Sequence, residues 1–254
     1  MHKSLLLGQI DDTQFHHKKQ MMGVLRQYLP AQAVEYCSEL IILYKLHLHI
    51  EIERKDRLGD YSPHLGKGNR ISINHNLNPF DFLITFIHEL AHHVTFKKYG
   101  PHHQSHGMEW KEEFKNCMRP VVMMRVFPPD IEQPLIKHMQ TPKYTHSGDV
   151  VLMKALMKYN KQQSYTLLDD LPIGSMFKMT SKSKLVLRKL EKLRTYAMCE
   201  ETSTQKKYKV HLLAKVKANG TSAKKPETKE NGLGNLAEVV TATEEQAASS
   251  VLNF

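Results

Sequence analysis

Cysteine is scarce in this 254-residue chain. Cys37, Cys117 and Cys199 lie far apart with no CxxC pair, which excludes a disulfide framework and a four-cysteine zinc ribbon and fits a reducing compartment. Long apolar runs are missing as well, so no stretch reads as a membrane span. The run Leu5-Leu6-Leu7 is too short for a secretory segment, and Asp11-Asp12 follows at once. The expectation is a soluble, intracellular, cytoplasmic protein with no membrane partner. Acid is in deficit: 26 Asp+Glu against 36 Lys+Arg leave a formal charge of +10. That balance points to an acidic partner such as nucleic acid, although basic surfaces are often only solvated. A hydrophobic content of 41% is enough for one large domain or two small ones, and two are expected.

Residues 12–29 have near-helical spacing of Met21, Met22, Leu25 and Tyr28. Pro30 can open a second helix in which Ala33, Val34, Cys37, Leu40, Ile41 and Tyr44 form one stripe, with Cys37 buried and inert. Residues 46–53 alternate apolar and polar as a strand with one buried face. His47 and His49 share the polar face with Glu51 and Glu53, and a solvated face explains them better than a second metal site. Residues 54–69 read as a flexible basic loop holding Arg54, Lys55, Arg57 and Lys67. Arg70-Ile71-Ser72-Ile73-Asn74 alternates again, a second strand that pairs with the first as an extended hairpin.

The sequence then turns to His88-Glu89-Leu90-Ala91-His92. Two imidazoles four residues apart on a helix lie on one face and can grip one zinc ion, with the intervening carboxylate as general base. The chain holds 16 histidines, so an accidental HExxH has about a one-in-fifteen chance. Context carries the rest. Asn78-Pro79 is an N-cap with proline in the first turn, Gly100-Pro101 is a stop, and Phe82, Leu83, Phe86, Ile87, Leu90, Ala91 and Val94 repeat at helical spacing between them. His102, His103, His106, Glu109, Glu112 and Glu113 are all candidates for a third ligand. His106 is favoured because it stands at a helix start beside Trp110, a large buried anchor that would hold it rigid.

The strand pair, the HExxH helix and His106-Gly107-x-x-Trp110 together resemble the SprT-like metallopeptidases, the group that includes Spartan. The resemblance covers residues 15–120, with its sharpest residues between 88 and 110. It implies an α+β, zincin-like minimal metallopeptidase domain, one catalytic Zn2+ held by His88, His92 and His106, and Glu89 as the catalytic base. It also implies substrates that are proteins bound on or crosslinked to DNA, a role in DNA repair and, if DNA is bound, association with the nucleoid. Many members of the group carry a four-cysteine zinc ribbon after the catalytic domain, which this chain cannot build.

The expected organisation is an N-terminal segment 1–14, the peptidase core 15–120, a proline-rich connector 121–148, a short helix and small basic β module 149–217, and a disordered tail 218–254. Residues 183–193 fit a strand or a helix equally. Basic residues of the module, notably Arg188, Lys189, Lys192 and Arg194, are candidates for nucleic-acid contact, with Phe177, Tyr196 and Tyr208 as candidates for stacking on bases. For the oxyanion, His93, His75 and Tyr61 are unranked candidates. Two rival expectations are a DNA-binding or adaptor protein with a structural zinc site, and a zinc peptidase serving one protein partner without DNA. Glu89 favours catalysis, since a structural site has no need of a base.

Overall fold

The structure, a computed structural model, describes residues 12–54, 56–63, 68–142, 148–161, 165–180 and 185–218. It is an α+β chain in two compact units, Met1–Tyr144 and Thr145–Phe254. The expectations for Lys55, Lys67, the first eleven residues and the tail from 219 lie outside the described residues. Among those described, no helix is long and apolar enough to cross a membrane.

The first unit opens with α1 (Asp12–Leu25), a short 3-10 turn (Ala31–Ala33) and α2 (Val34–Leu43). The stripe read from sequence is buried at Ala33, Val34, Cys37 and Ile41. Burial also pushes the Cys37 thiol up to about 12, which keeps it a protonated, inert core group. Next come β1 (Leu46–Glu51), β2 (Gly59–Ser62) and β3 (Asn69–Asn74).

The strands do not form the expected hairpin. β3 runs parallel to β1 and antiparallel to β2, giving the order β1-β3-β2. β2 falls inside the stretch read as a loop, because four residues containing glycine and two small polar groups show no alternation. Ile71 and Ile73 are buried on one face of β3, and Ser72 and Asn74 on the other. Arg54 covers that second face, donating to Asn74 Oδ1 at 2.9 Å and Ser72 Oγ at 2.9 Å. A parallel neighbour needs a long connection, and the excursion through β2 supplies it.

The central element is α3 (Pro79–Tyr99). Asn78 accepts from the backbone N–H groups of Phe80 and Asp81, both at 3.1 Å, and Pro79 occupies the first turn. Gly100, at φ 76, ends the helix, and Lys97 and Lys98 lie in the last turn where the dipole favours cations. Every residue from Asp81 to Ala91 is buried, so the helix is enclosed on all sides. α4 (Met108–Met123) packs on it through Trp110, Phe114, Met118 and Val121, and Lys98 donates to both oxygens of buried Glu113, at 2.8 and 2.9 Å.

Residues 121–148, expected as an extended connector, instead contain the end of α4 and all of α5 (Pro129–Gln140). Proline misled the expectation. Pro128 and Pro129 stand at the N-cap and first turn, where no N–H is needed, and buried Ile131, Leu135 and His138 recur at helical spacing. Pro120 and Pro134 lie within helices whose buried faces outweigh the lost bond.

The second unit contains α6 (Val150–Met157), β4 (Thr166–Leu167), a 3-10 turn (Leu168–Asp170), β5 (Met176–Met179), β6 (Val186–Lys192), β7 (Tyr196–Glu201), β8 (Lys207–His211) and β9 (Lys215–Ala218). Within the segment 183–193, ambiguous in sequence, Val186–Lys192 is strand. The strands form one antiparallel sheet in the order β4-β9-β5-β6-β7-β8. Its core gathers Leu168, Phe177, Leu187, Ala197, Cys199, Val210, Leu212, Ala214 and Val216.

Lys189 is a member of the inner face, 2% exposed. Its ammonium donates to the carbonyls of Leu168 at 2.9 Å and Leu171 at 2.6 Å, tying the 3-10 turn to β6. Burial pulls its pKa below the usual lysine range. Lys189→Met keeps the length but leaves those carbonyls unpaired, so we expect a loss of about 1–3 kcal/mol in urea denaturation of the full chain. An unchanged midpoint would show that the ammonium contributes nothing net.

Candidate metal centre

His88 and His92 project from α3 one turn apart, and His106 reaches the same point from the turn before α4. The three Nε2 atoms form a near-equilateral triangle: His88 to His106 3.1 Å, His92 to His88 3.2 Å, and His92 to His106 3.0 Å. Three ring nitrogens converging on one point cannot all satisfy one another with hydrogens, whereas three inward lone pairs form a ligand set. The group could hold a metal ion.

The local backbone explains how His106 gets there. It stands at φ 58, in the left-handed region that a non-glycine residue rarely occupies. The next residue, Gly107, is buried, and a Cβ there would lie 3.0 Å from the Gln104 carbonyl, so a larger residue would crowd the turn. Ser105 Oγ lies 3.2 Å from His106 Nδ1 and orients the ring. Trp110 is fully buried against all three imidazoles, with ring centroids at 4.7 Å from His88, 5.3 Å from His92 and 4.6 Å from His106. Its other face stacks on Phe114.

Burial favours the neutral form of His92 and His106, the form a metal ligand needs. His92 is pushed down to about 3, first by burial and then by the nearby His106 and His103. His106 is lowered by burial and by Lys111. The other third-ligand candidates lie outside the cluster. His103 contacts the Gly100 carbonyl and Glu113 is engaged by Lys98, while His102 and Glu112 are exposed. Among the described residues no second group of ligands forms at His47, His49, Glu51 and Glu53.

Glu89 and His93 occupy the next face of α3, again four residues apart, and both meet β2. The Tyr61 backbone N–H bonds to the Glu89 carboxylate, and the Tyr61 hydroxyl lies 3.2 Å from His93 Nδ1 while donating to Asn69 Oδ1. Gly59 permits this approach: a Cβ there would sit 2.6 Å from Thr85 Cγ2 and 2.9 Å from Glu89 Oε1. Sequence reasoning missed this brace, and nothing in Gly59-Asp60-Tyr61-Ser62 announces it. Burial, and then the nearby Asp60, raise the Glu89 pKa to about 8, against the pull of Arg54, the Tyr61 N–H and Arg57. Of the unranked oxyanion candidates, Tyr61 and His93 are the brace itself, and His75 faces the Glu51 carbonyl.

The residues expected to meet nucleic acid have varied surroundings. Arg54 is engaged with Asn74 and Ser72, and Arg57 pairs with Asp56 and Asp60. Lys189 is buried and Lys192 pairs with Asp169 at 2.5 Å. Arg188 and Arg194 are exposed. Phe177 is fully buried, so it cannot stack on a base.

Two measurements test the centre. Removing a ligand in His106→Ala should abolish stoichiometric metal retention through gel filtration, and Ser105→Ala should weaken affinity about tenfold; equal metal content in wild type and His106→Ala would remove His106 from the ligand set. The second concerns pH in metal-stripped protein. A free Glu89 carboxyl titrates near 4.5 and the folded one near 8, so the native state holds an extra proton between those values and stability falls as pH rises. The depressed histidines act in the opposite sense, but only up to their ordinary value of 6.5. From pH 6.5 to 8 the loss therefore belongs to Glu89 among these groups, about 2 kcal/mol. Urea midpoints of Glu89→Gln should be flat over that interval.

No protein-family model matches the chain, and comparison with curated proteins and with solved structures likewise returns no match.

Proposed function

We propose that this chain is a zinc-dependent endopeptidase of the SprT-like kind, acting on proteins bound on or crosslinked to DNA. The observation that carries the reading is the pairing on α3 of a converging imidazole triangle with a buried carboxylate, Glu89, one residue from the first ligand. Tetrahedral Zn–N bonds of 2.0–2.1 Å place donor atoms about 3.3 Å apart, and spacings of 3.0–3.2 Å suit that ion. Three neutral ligands leave a fourth position for water or substrate.

Zinc, when bound, supplies a Lewis acid that lowers the pKa of water toward neutrality. With zinc held by His88, His92 and His106, Glu89 would accept a proton from the attacking water and would deliver it to the departing amine. A carboxyl whose surroundings favour its protonated form is suited to hold that proton between the two steps. The Tyr61 N–H and the absence of a side chain at Gly59 fix where the carboxylate points. β3 is the central strand and β2 the edge beside α3, and an extended peptide could add to the open side of β2. The DNA-bound substrate class rests on the resemblance, and the net charge of +10 supports it.

The test is cleavage of a DNA-binding protein, and self-cleavage, by zinc-loaded protein with and without DNA. Glu89→Gln should lower the rate by about 100-fold to 10,000-fold while leaving zinc stoichiometry unchanged. Full activity in Glu89→Gln, or inert wild type under every condition, would overturn the peptidase reading.

A further inference from the structure

In an antiparallel pair, residues directly opposite each other project from the same face of the sheet. In the second unit one face is the core, where Phe177 lies opposite Leu187 and Ala197 opposite Val210. On the other face Lys217 lies opposite Lys178, Arg188 opposite Glu200, Glu200 opposite Lys207, and Met198 opposite Lys209. Five cations thus share a surface with two carboxylates, Glu200 in line between Arg188 and Lys207 and Glu191 opposite Met198. Lys178, Arg188, Lys207 and Lys217 are exposed and Lys209 is half-buried.

Three other lysines of this unit are committed. Lys154 pairs with Asp169 and Asp170, Lys192 with Asp169, and Lys189 with carbonyls. The five on the outer face form no ion pair among the described residues. Their row crosses β9, β5, β6, β7 and β8, four strand spacings or about 19 Å along the sheet. A duplex presents about ten phosphate charges over that distance.

We infer that this outer face binds nucleic acid through the phosphate backbone, without stacking on bases. Among the described residues no aromatic on this face is exposed, which fixes the mode: Phe177 is in the core, Tyr208 bonds to Glu201, and half-buried Tyr196 packs edge-on against His211 at 5.3 Å. The same absence separates a polyphosphate from other anionic partners. A protein interface needs a buried apolar centre and a membrane surface needs inserting apolar groups. Met176 and Met198 on this face are half-buried between the cations, whereas counterion release from a backbone requires neither. Binding of this kind is independent of sequence. The inference rests on the preceding reading only for the partner's place in the function.

The experiment uses the full-length, zinc-loaded Glu89→Gln chain, so that proteolysis does not alter the binding partner. Binding of a labelled 20-mer single strand and a 20-base-pair duplex is followed by anisotropy across a salt series. If all five cations engage, log K against log salt should have a slope of about −4.5 for duplex and −3.5 for single strand. The triple variant Lys178→Glu, Arg188→Glu, Lys207→Glu should lose about 100-fold or more in affinity and about three units of slope. The neutral triple, with Gln at the same positions, should lose the same slope, which guards against misfolding of the first. A charge-matched control in the other unit, Lys19→Glu, Arg119→Glu, Lys137→Glu, should change affinity only a few-fold. Equal loss in the control, no binding to either oligonucleotide near physiological salt, or preference for phosphatidylserine vesicles would each overturn the inference. Cleavage of an unbound protein without nucleic acid tests the peptidase reading separately, so either can fail alone.

Discussion

The first unit depends on one constraint: α3 must present two adjacent faces, each with residues spaced four apart, to two different partners. His88 and His92 face the turn that carries His106, while Glu89 and His93 face β2. A helix fixes the angle between those faces and the capped start at Asn78 fixes the register. Because α3 is enclosed by α4, β2 and β3, a rotation that improved one face would displace the other. The geometry of the ligand triangle and the aim of the carboxylate are therefore set by the same packing.

Burial then does opposite things to the two sets of side chains. It favours the neutral form of each, which for an imidazole means a free lone pair and for a carboxyl means a held proton. The same low-polarity surroundings, lined by Trp110 and Phe114 on one side and β2 on the other, leave lone pairs free on the imidazoles and a proton on the Glu89 carboxyl. Neither requires a charged partner in the protein.

Much of this was legible in the chain. Asn78-Pro79, Gly100 and the apolar repeat between them mark α3, and His106-Gly107 before Trp110 marks the third ring, because caps and large anchors leave strong local signatures. Other features left none. β2 is held by main-chain bonds and by the missing side chain of Gly59, neither of which shows as a pattern of hydrophobicity. β3 shows alternation, but nothing in it states that its partner runs parallel. The prolines of α5 outvoted Ile131, Leu135 and His138 in the sequence reading, although they stand where a helix tolerates them. Lys189 and Phe177 looked alike as members of a basic, aromatic stretch until strand register sent both to the inner face and left Arg188 and Lys178 outside.

The three imidazoles are separated by only 4, 14 and 18 positions along the chain. Loops that short cost little entropy to close. The strands that shape the surroundings of Glu89 precede all three. In the order of synthesis, every residue of the ligand set and of the β2 brace therefore precedes α5 and all strands of the second unit. An ion held by the three imidazoles would in this respect be bound locally, tying α3 to the His106 turn through a short loop.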